Sequence, residues 1–183
     1  FSVTLTDRAG NASDVTSHVI NVDTTKPAIP SIALDTDGND IILGSYTVSN
    51  VESGAGVEHS SDGTNWLSDS LTFSAGLNTF YVRQTDLAGN ISDPALLSFT
   101  YGTAGADSLS GDASDNILIG ADGDDTLEGK GGGDTLYGDG GNNTASYASA
   151  GSRVTASLSV PGNNEGEAAG DSYYNIHNLT GSA

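Results

Sequence analysis

The chain has no cysteine among its 183 residues, so no disulfide can staple its fold. That absence suits a secreted protein stabilised by a metal, without itself identifying a compartment. Bases are almost as scarce: five Lys and Arg stand against 24 Asp and Glu, a formal net charge of −19. Such a balance excludes nucleic acid and anionic membrane surfaces as natural partners. No apolar run approaches the roughly 18 residues of a membrane span, and no stretch shows helical periodicity. No secretory leader is visible. Phe1 opens inside an apparent strand and Asn178–Ala183 reads as the start of another repeat, so both ends are expected to lie inside a longer chain. A hydrophobic content of 36% leaves room for one or two small domains.

What is present is a repeat. From Gly102 a nine-residue pattern runs five times without a gap: Gly102–Ser110, Gly111–Ile119, Gly120–Glu128, Gly129–Tyr137 and Gly138–Ser146. Position 6 holds Asp107, Asn116, Asp125, Asp134 and Asn143; position 8 holds Leu109, Leu118, Leu127, Leu136 and Ala145. Each copy divides into six turn-forming residues and three strand-like ones, such as Thr135-Leu136-Tyr137. In so short a strand the central Leu points inward and its neighbours outward. Glycines at positions 1 and 4 permit positive φ and a close backbone approach. Two copies then make one flattened coil, placing copy n over copy n+2, so that Asp107 stacks with Asp125, Asn116 with Asp134, and Asp125 with Asn143.

Stacked carboxylates repel. Two unit charges about 4.8 Å apart cost roughly 1 kcal/mol in water and roughly 3.5 kcal/mol at an effective dielectric of 20. Residues 102–146 carry nine acidic side chains, Asp122 and Asp124 among them, against the single base Lys130. Beyond the position-8 residues their large aliphatic side chains are Ile117 and Ile119, too thin a core to offset the repulsion. A cation is the remedy, and carboxylate and carbonyl oxygens without Cys or a nearby His select Ca²⁺ over zinc or copper. The candidate ligands are Asp107, Asn116, Asp122, Asp124, Asp125, Asp134 and Asn143, with carbonyls of the Gly-rich turns. Composition alone would fit a disordered Gly/Asp linker, but the strict registration of Leu with Asp or Asn argues against it. The best-formed site is expected at copies three and four, because Asn replaces Asp in copies two and five and Ser114 replaces Gly in copy two.

These copies resemble the calcium-binding nonapeptide G-G-x-G-x-D-x-U-x of RTX proteins. The resemblance implies a parallel β-roll, Ca²⁺ as cofactor, and a secreted bacterial protein exported unfolded by type I secretion.

A longer period lies upstream. Phe1–Asp14 (FSVTLTDRAGNASD) and Phe80–Asp93 (FYVRQTDLAGNISD) match at an offset of 79 residues, each a strand, a tight AGN turn and a second strand (Ser17–Val22; Leu96–Tyr101). Between them alternating segments at Ser31–Leu34, Tyr46–Val51, Val57–Ser60, Asn65–Leu67, Leu71–Phe73 and Thr79–Gln84 predict further strands, separated by turn signals at Asp37–Asp40 and Ser61–Thr64. The pattern resembles bacterial Ig-like domains that occur in tandem in large surface proteins. The expected fold is therefore all-β, an Ig-like β-sandwich followed by a calcium-binding parallel β-roll. Residues 1–23 would close a preceding Ig-like domain, 24–101 form one, and 102–183 form the roll with an inserted segment at about 147–170. Arg153–Val160 in that insert reads as a strand, with Val154, Ala156 and Leu158 continuing the coil.

Other residues divide between a site and a simpler role. Asp7, Asp14, Asp86 and Asp93 flank the AGN turns, where they either bind Ca²⁺ at a module junction, joined by Asp23, or hydrogen-bond nearby amides. Asp35–Asp40 looks like a calcium loop but fails the EF-hand pattern, since its twelfth position is Tyr46; an inter-strand turn is the simpler account. His18, His59 and His177 are isolated and read as strand-surface residues, and Trp66 reads as sandwich core. No catalytic constellation can be defended, so the segment is read as non-enzymatic. The leading expectation is part of a large RTX adhesin-like surface protein with Ig-like extenders. Its partners would be calcium and cell-surface, matrix or neighbouring protein copies. A calcium-dependent surface-layer or matrix protein, or the secretion module of an RTX enzyme, is the alternative. Chelation is expected to unfold 102–183 and leave 24–101 folded.

Overall fold

The computed structural model describes residues 2–17 and 21–181; the expectations that fall on Phe1, on His18 and the rest of 18–20, and on Ser182 and Ala183 lie outside these. Among the described residues every regular element is a strand apart from two short 3-10 turns, Pro161–Asn163 and Gly166–Ala168. Strand β1 (Ser2–Val3) pairs antiparallel with β2 (Thr16–Ser17) around the first AGN turn. Next come a hairpin of β3 (Ser31–Asp37) and β4 (Asp40–Ser49), and an antiparallel set of β5 (Gly56–Ser60), β6 (Gly76–Thr85) and β7 (Ala95–Tyr101). The segments at 65–67 and 71–73 are not strands. Leu67 exchanges two backbone hydrogen bonds with His59, and Leu71 and Phe73 pack on the core from a loop.

The nonapeptides supply β8 (Ser108–Ser110), β9 (Ile117–Ile119), β10 (Thr126–Glu128), β11 (Thr135–Tyr137) and β12 (Asn143–Ser146), one strand per copy. Parallel pairing joins copies eighteen residues apart, Leu109 with Leu127 and Leu118 with Leu136. After the insert, β13 (Ser172–Tyr174) continues the even sheet beside β11, and β14 (Ile176–Thr180) continues the odd sheet beside β12 through a bulge. The odd sheet runs β14-β12-β10-β8. Between the two sheets lie Leu118, Leu127, Leu136 and Ala145, closed at the downstream end by Tyr147 and Ala168, all at most 1% exposed.

The even sheet does not stop at the roll. Strand β9 also pairs in parallel with β7, giving one six-stranded sheet, β13-β11-β9-β7-β6-β5. The β3–β4 hairpin covers the outer face of this sheet across the junction. Ile41, Phe80, Leu97 and Phe99 form one buried cluster with Ile119, and Tyr137 packs beside them. Ile119 does point out of the roll, as a position-9 residue should, yet it is fully buried. The core available to the repeat is therefore larger than its own sequence suggests, by roughly 1.5–3 kcal/mol for that side chain.

Three further expectations change. Residues 153–160 form no strand; Thr155 makes an isolated bridge with Glu165, while Val154 and Ala156 pack on the end of the roll's core. Trp66 is half-buried and outside the buried core, its ring covered by the Arg83 guanidinium at 4.1 Å. Arg83 is fixed there by Glu58 at 2.9 Å, which explains why the indole can lie at the edge of the core. His59 is buried beside Tyr46, not on the surface, and burial lowers its pKa; His177 is exposed.

Candidate metal centre

The position-6 side chains form two columns, one on each side of the roll. In the odd column Asp107 N–H donates to Asp125 Oδ1 at 2.8 Å, and Asp125 N–H donates to Asn143 Oδ1 at 2.9 Å. In the even column Asn116 N–H donates to Asp134 Oδ1 at 2.8 Å, and Asp134 N–H donates to Asp171 Oδ1 at 2.9 Å. A second ladder runs the opposite way from position 5: Asp115 Oδ1 accepts from Gly133 N–H and Asp124 Oδ1 from Asn142 N–H. Asp125, Asp134 and Asp171 thus each commit one carboxylate oxygen, and Asn143 its amide oxygen, to the preceding coil.

The second oxygen is what distinguishes the middle rungs. Asp125 is 1% exposed and Asp134 is fully buried, and Oδ2 of each has no hydrogen-bond partner. Buried polar atoms left in this condition cost about 1–3 kcal/mol, more when charged. Each Oδ2 sits where the Cβ of a position-1 residue would be, for Asp125 at Gly120 and for Asp134 at Gly129. At position 4 a Cβ on Gly132 would stand 2.6 Å from the carbonyl carbon of Ser114 in the coil below, and Gly132 has φ +105°. Glycine at these places lets turn backbone and carboxylate crowd one locus.

Burial pushes the Asp134 pKa up to about 6, with Asp171, Asp115 and Asp112 adding to the rise. Asp125 is raised by burial first, and then by Asp107, Asp124 and Asp122. Two ion pairs occur among the described residues, Lys26–Asp93 and Arg83–Glu58, and neither touches the roll. Among the described residues no three acidic or imidazole side chains converge on a point. A cation here would therefore take most of its ligands from turn carbonyls, with Asp125 and Asp134 supplying the charge. An oxygen-only donor set of that kind fits Ca²⁺.

The remaining candidates differ. Asp107 is half-buried, and its Oδ2 already accepts from Thr103 N–H at 2.6 Å and Thr103 Oγ1 at 2.9 Å. The Asn116 Oδ1 accepts from Asp112 N–H. The Asn143 amide donates to the carbonyls of Gly140 and Asn175, so an asparagine satisfies acceptors that a cation could otherwise hold. Asp122 and Asp124 are exposed on the turns. Asp122 lines a cavity with Asp40, Tyr101 and Asp139 at the foot of the hairpin. There Asp139 Oδ1 accepts from Ile41 N–H at 3.0 Å, and burial pushes its pKa up to about 6.

The turn aspartates upstream are occupied otherwise. Asp7 accepts from the N–H groups of Ala9 and Asn11 and from Asn11 Nδ2; Asp86 repeats the pattern with Ala88 and Asn90. The Asn side chain, first among these bonds, lowers the pKa of each. Asp23 accepts from Thr25 N–H, Asp93 pairs with Lys26, and Asp35 accepts from the hydroxyls of Ser45 and Thr47.

Sequence reasoning missed Asp171, the top of the even column. Its signal was Asp171-Ser172-Tyr173-Tyr174, a variant of Asp134-Thr135-Leu136-Tyr137 displaced out of nine-residue register by the insert. It also missed that Ala121, Lys130 and Asp139, at position 2, hold φ of +73°, +74° and +53°, where the RTX pattern has glycine.

Residues 101–136 and 119–146 match the family model described as the RTX calcium-binding nonapeptide repeat (4 copies). This segment carries RTX calcium-binding repeats. No curated protein and no solved structure matches the chain.

Proposed function

We propose that the chain is part of a secreted bacterial surface protein of the RTX adhesin type, in which a calcium-dependent β-roll is joined to an Ig-like extender. The observation that carries the calcium reading is the pair of buried, unpartnered Oδ2 atoms on Asp125 and Asp134 within registered glycine turns. Bound there, Ca²⁺ would supply positive charge to both columns and accept the turn carbonyls. The chain's own part is to align those oxygens, exclude water with the leucine column, and keep the columns too acidic to close unaided. In a calcium-poor cytosol the repeats stay extended and can be threaded through a type I exporter; outside the cell they close. At calcium 100-fold above a site's dissociation constant the closed form gains about 2.7 kcal/mol per site. The 79-residue internal match upstream supports a tandem extender, and the acidic surface suits a soluble extracellular stalk.

Isothermal titration of the metal-free chain with CaCl2 and then MgCl2 tests this. Uptake of calcium coupled to a gain of β-structure is expected, with magnesium far weaker. Calcium and magnesium acting alike, or neither acting, would refute it.

A further inference from the structure

At the top of the even column the carboxylate of Asp171 does not resemble those of Asp134 beneath it and Asp125 in the odd column. Asp171 is 2% exposed, and its Oδ1 accepts from Asp134 N–H as the Oδ1 atoms of Asp125, Asp134 and Asn143 accept from the preceding coil. Its Oδ2, the counterpart of the unpartnered atoms of Asp125 and Asp134, accepts from the Tyr147 hydroxyl at 2.6 Å. Tyr147 is the first residue of the insert and is 1% exposed. Its single proton goes to Asp171, so in its contact with the Tyr173 hydroxyl the donor must be Tyr173. Tyr173 in turn accepts from Asn164 Nδ2 at 3.0 Å, and Asn164 Oδ1 accepts from Ser157 N–H at 2.8 Å. A one-way chain of donors therefore runs from the insert into the column, with every member satisfied.

Resting on the calcium reading above, we infer that Tyr147 takes the place of an ion at this rung: the segment 147–170 is a metal-independent cap on the roll, and Asp171 is not a calcium ligand. The insert follows the fifth copy, and the odd column beside it ends on Asn143, whose amide donates to the Asn175 carbonyl. Both columns thus finish at their downstream end on protein donors, Asn143 in one and Tyr147 in the other. Ion-demanding rungs are left in the middle, at Asp125 and Asp134. The cap gives the repeats a preformed end on which calcium-dependent coils can close.

The test counts calcium ions per chain by titration of the metal-free protein, in the wild type and in Asp134→Asn and Asp171→Asn. Asp134→Asn is expected to lower the count by at least one, and Asp171→Asn to leave it unchanged. A lower count for Asp171→Asn overturns the inference. A wild type that takes up no calcium overturns the underlying reading instead. Tyr147→Phe gives a second measure, since it strips Asp171 Oδ2 of its partner. One more ion per chain, or a calcium midpoint for folding raised at least about threefold, supports the cap; an unchanged count and midpoint overturn it. If Tyr147→Phe does not fold in saturating calcium, Asp171→Asn decides.

Discussion

Replacing Asp134 by Asn is expected to stabilise the roll without calcium and destabilise it with calcium. Asp134 is fully buried, lies beneath Asp171 in the column, and leaves Oδ2 unpartnered. At the inter-strand spacing one like-charged neighbour costs at most roughly 3.5 kcal/mol at an effective dielectric of 20. An independent route gives a similar figure. A carboxyl pushed from its ordinary 3.8 up to about 6 carries about 3 kcal/mol of penalty for its charged form at neutral pH. The raised pKa reflects desolvation first and repulsion by Asp171 after it, so the two figures overlap and are not added. Asn retains the Oδ1 acceptor for Asn116 N–H and forfeits about 1 kcal/mol of charge assistance. The net gain without metal is about 2 kcal/mol. With calcium the same change deletes an anionic ligand, and stability falls. Circular dichroism at neutral pH reads both signs, as the β signal retained in EGTA and as the urea midpoint in millimolar calcium. A substitution that destabilises in both buffers would refute the charge-column reasoning.

The raised pKa of Asp134 fixes the pH dependence. Its folded value lies above its unfolded one, so the metal-free roll is penalised above about pH 6 and gains stability as pH falls from 6 towards 4; metal-free melting that worsens over that range would contradict this. Ala121→Gly removes a left-handed strain of roughly 1–2 kcal/mol at a cost of roughly 0.5–1 kcal/mol in chain entropy, so a modest gain of up to about 1.5 kcal/mol is expected in calcium. Ile119→Ala should cost about 2–4 kcal/mol and lower the melting of the upstream strands as well as the roll, read by Trp66, the single tryptophan. An unaltered Trp66 transition would show that the shared cluster carries no coupling.

That coupling revises the expectation that chelation spares 24–101. The nine-residue register made the parallel pairing of copies eighteen apart legible, because a Leu that must face inward fixes its own rung. It also pointed to copies three and four, where the two unpartnered oxygens lie. Most of the strands over 76–85 and 95–101 was legible, Thr79–Gln84 from alternation and Leu96–Tyr101 from the 79-residue internal match. What escaped was tertiary. Nothing in the sequence of β3 and β4 says that their hairpin lies over Ile119 and Tyr137, nor that β7 continues into β9. Ile119 looked like an exposed position-9 residue because its cover comes from about eighty residues upstream. Asp171 was hidden because the insert breaks the period, and position 8 there is Tyr173 instead of Leu. Trp66 and His59 departed from their expected places for reasons of contact: a guanidinium covers the half-buried indole, and Tyr46 packs edge-on against the imidazole.

The most direct measurement is the far-ultraviolet circular dichroism of the purified chain through a cycle of EGTA and excess calcium. Loss of most β signal from 102–181 on chelation, accompanied by a weakened upstream melt, and full recovery on adding calcium are expected. A chain whose spectrum and melting temperature stay the same throughout the cycle would contradict the claim that its carboxylate columns need a cation to close.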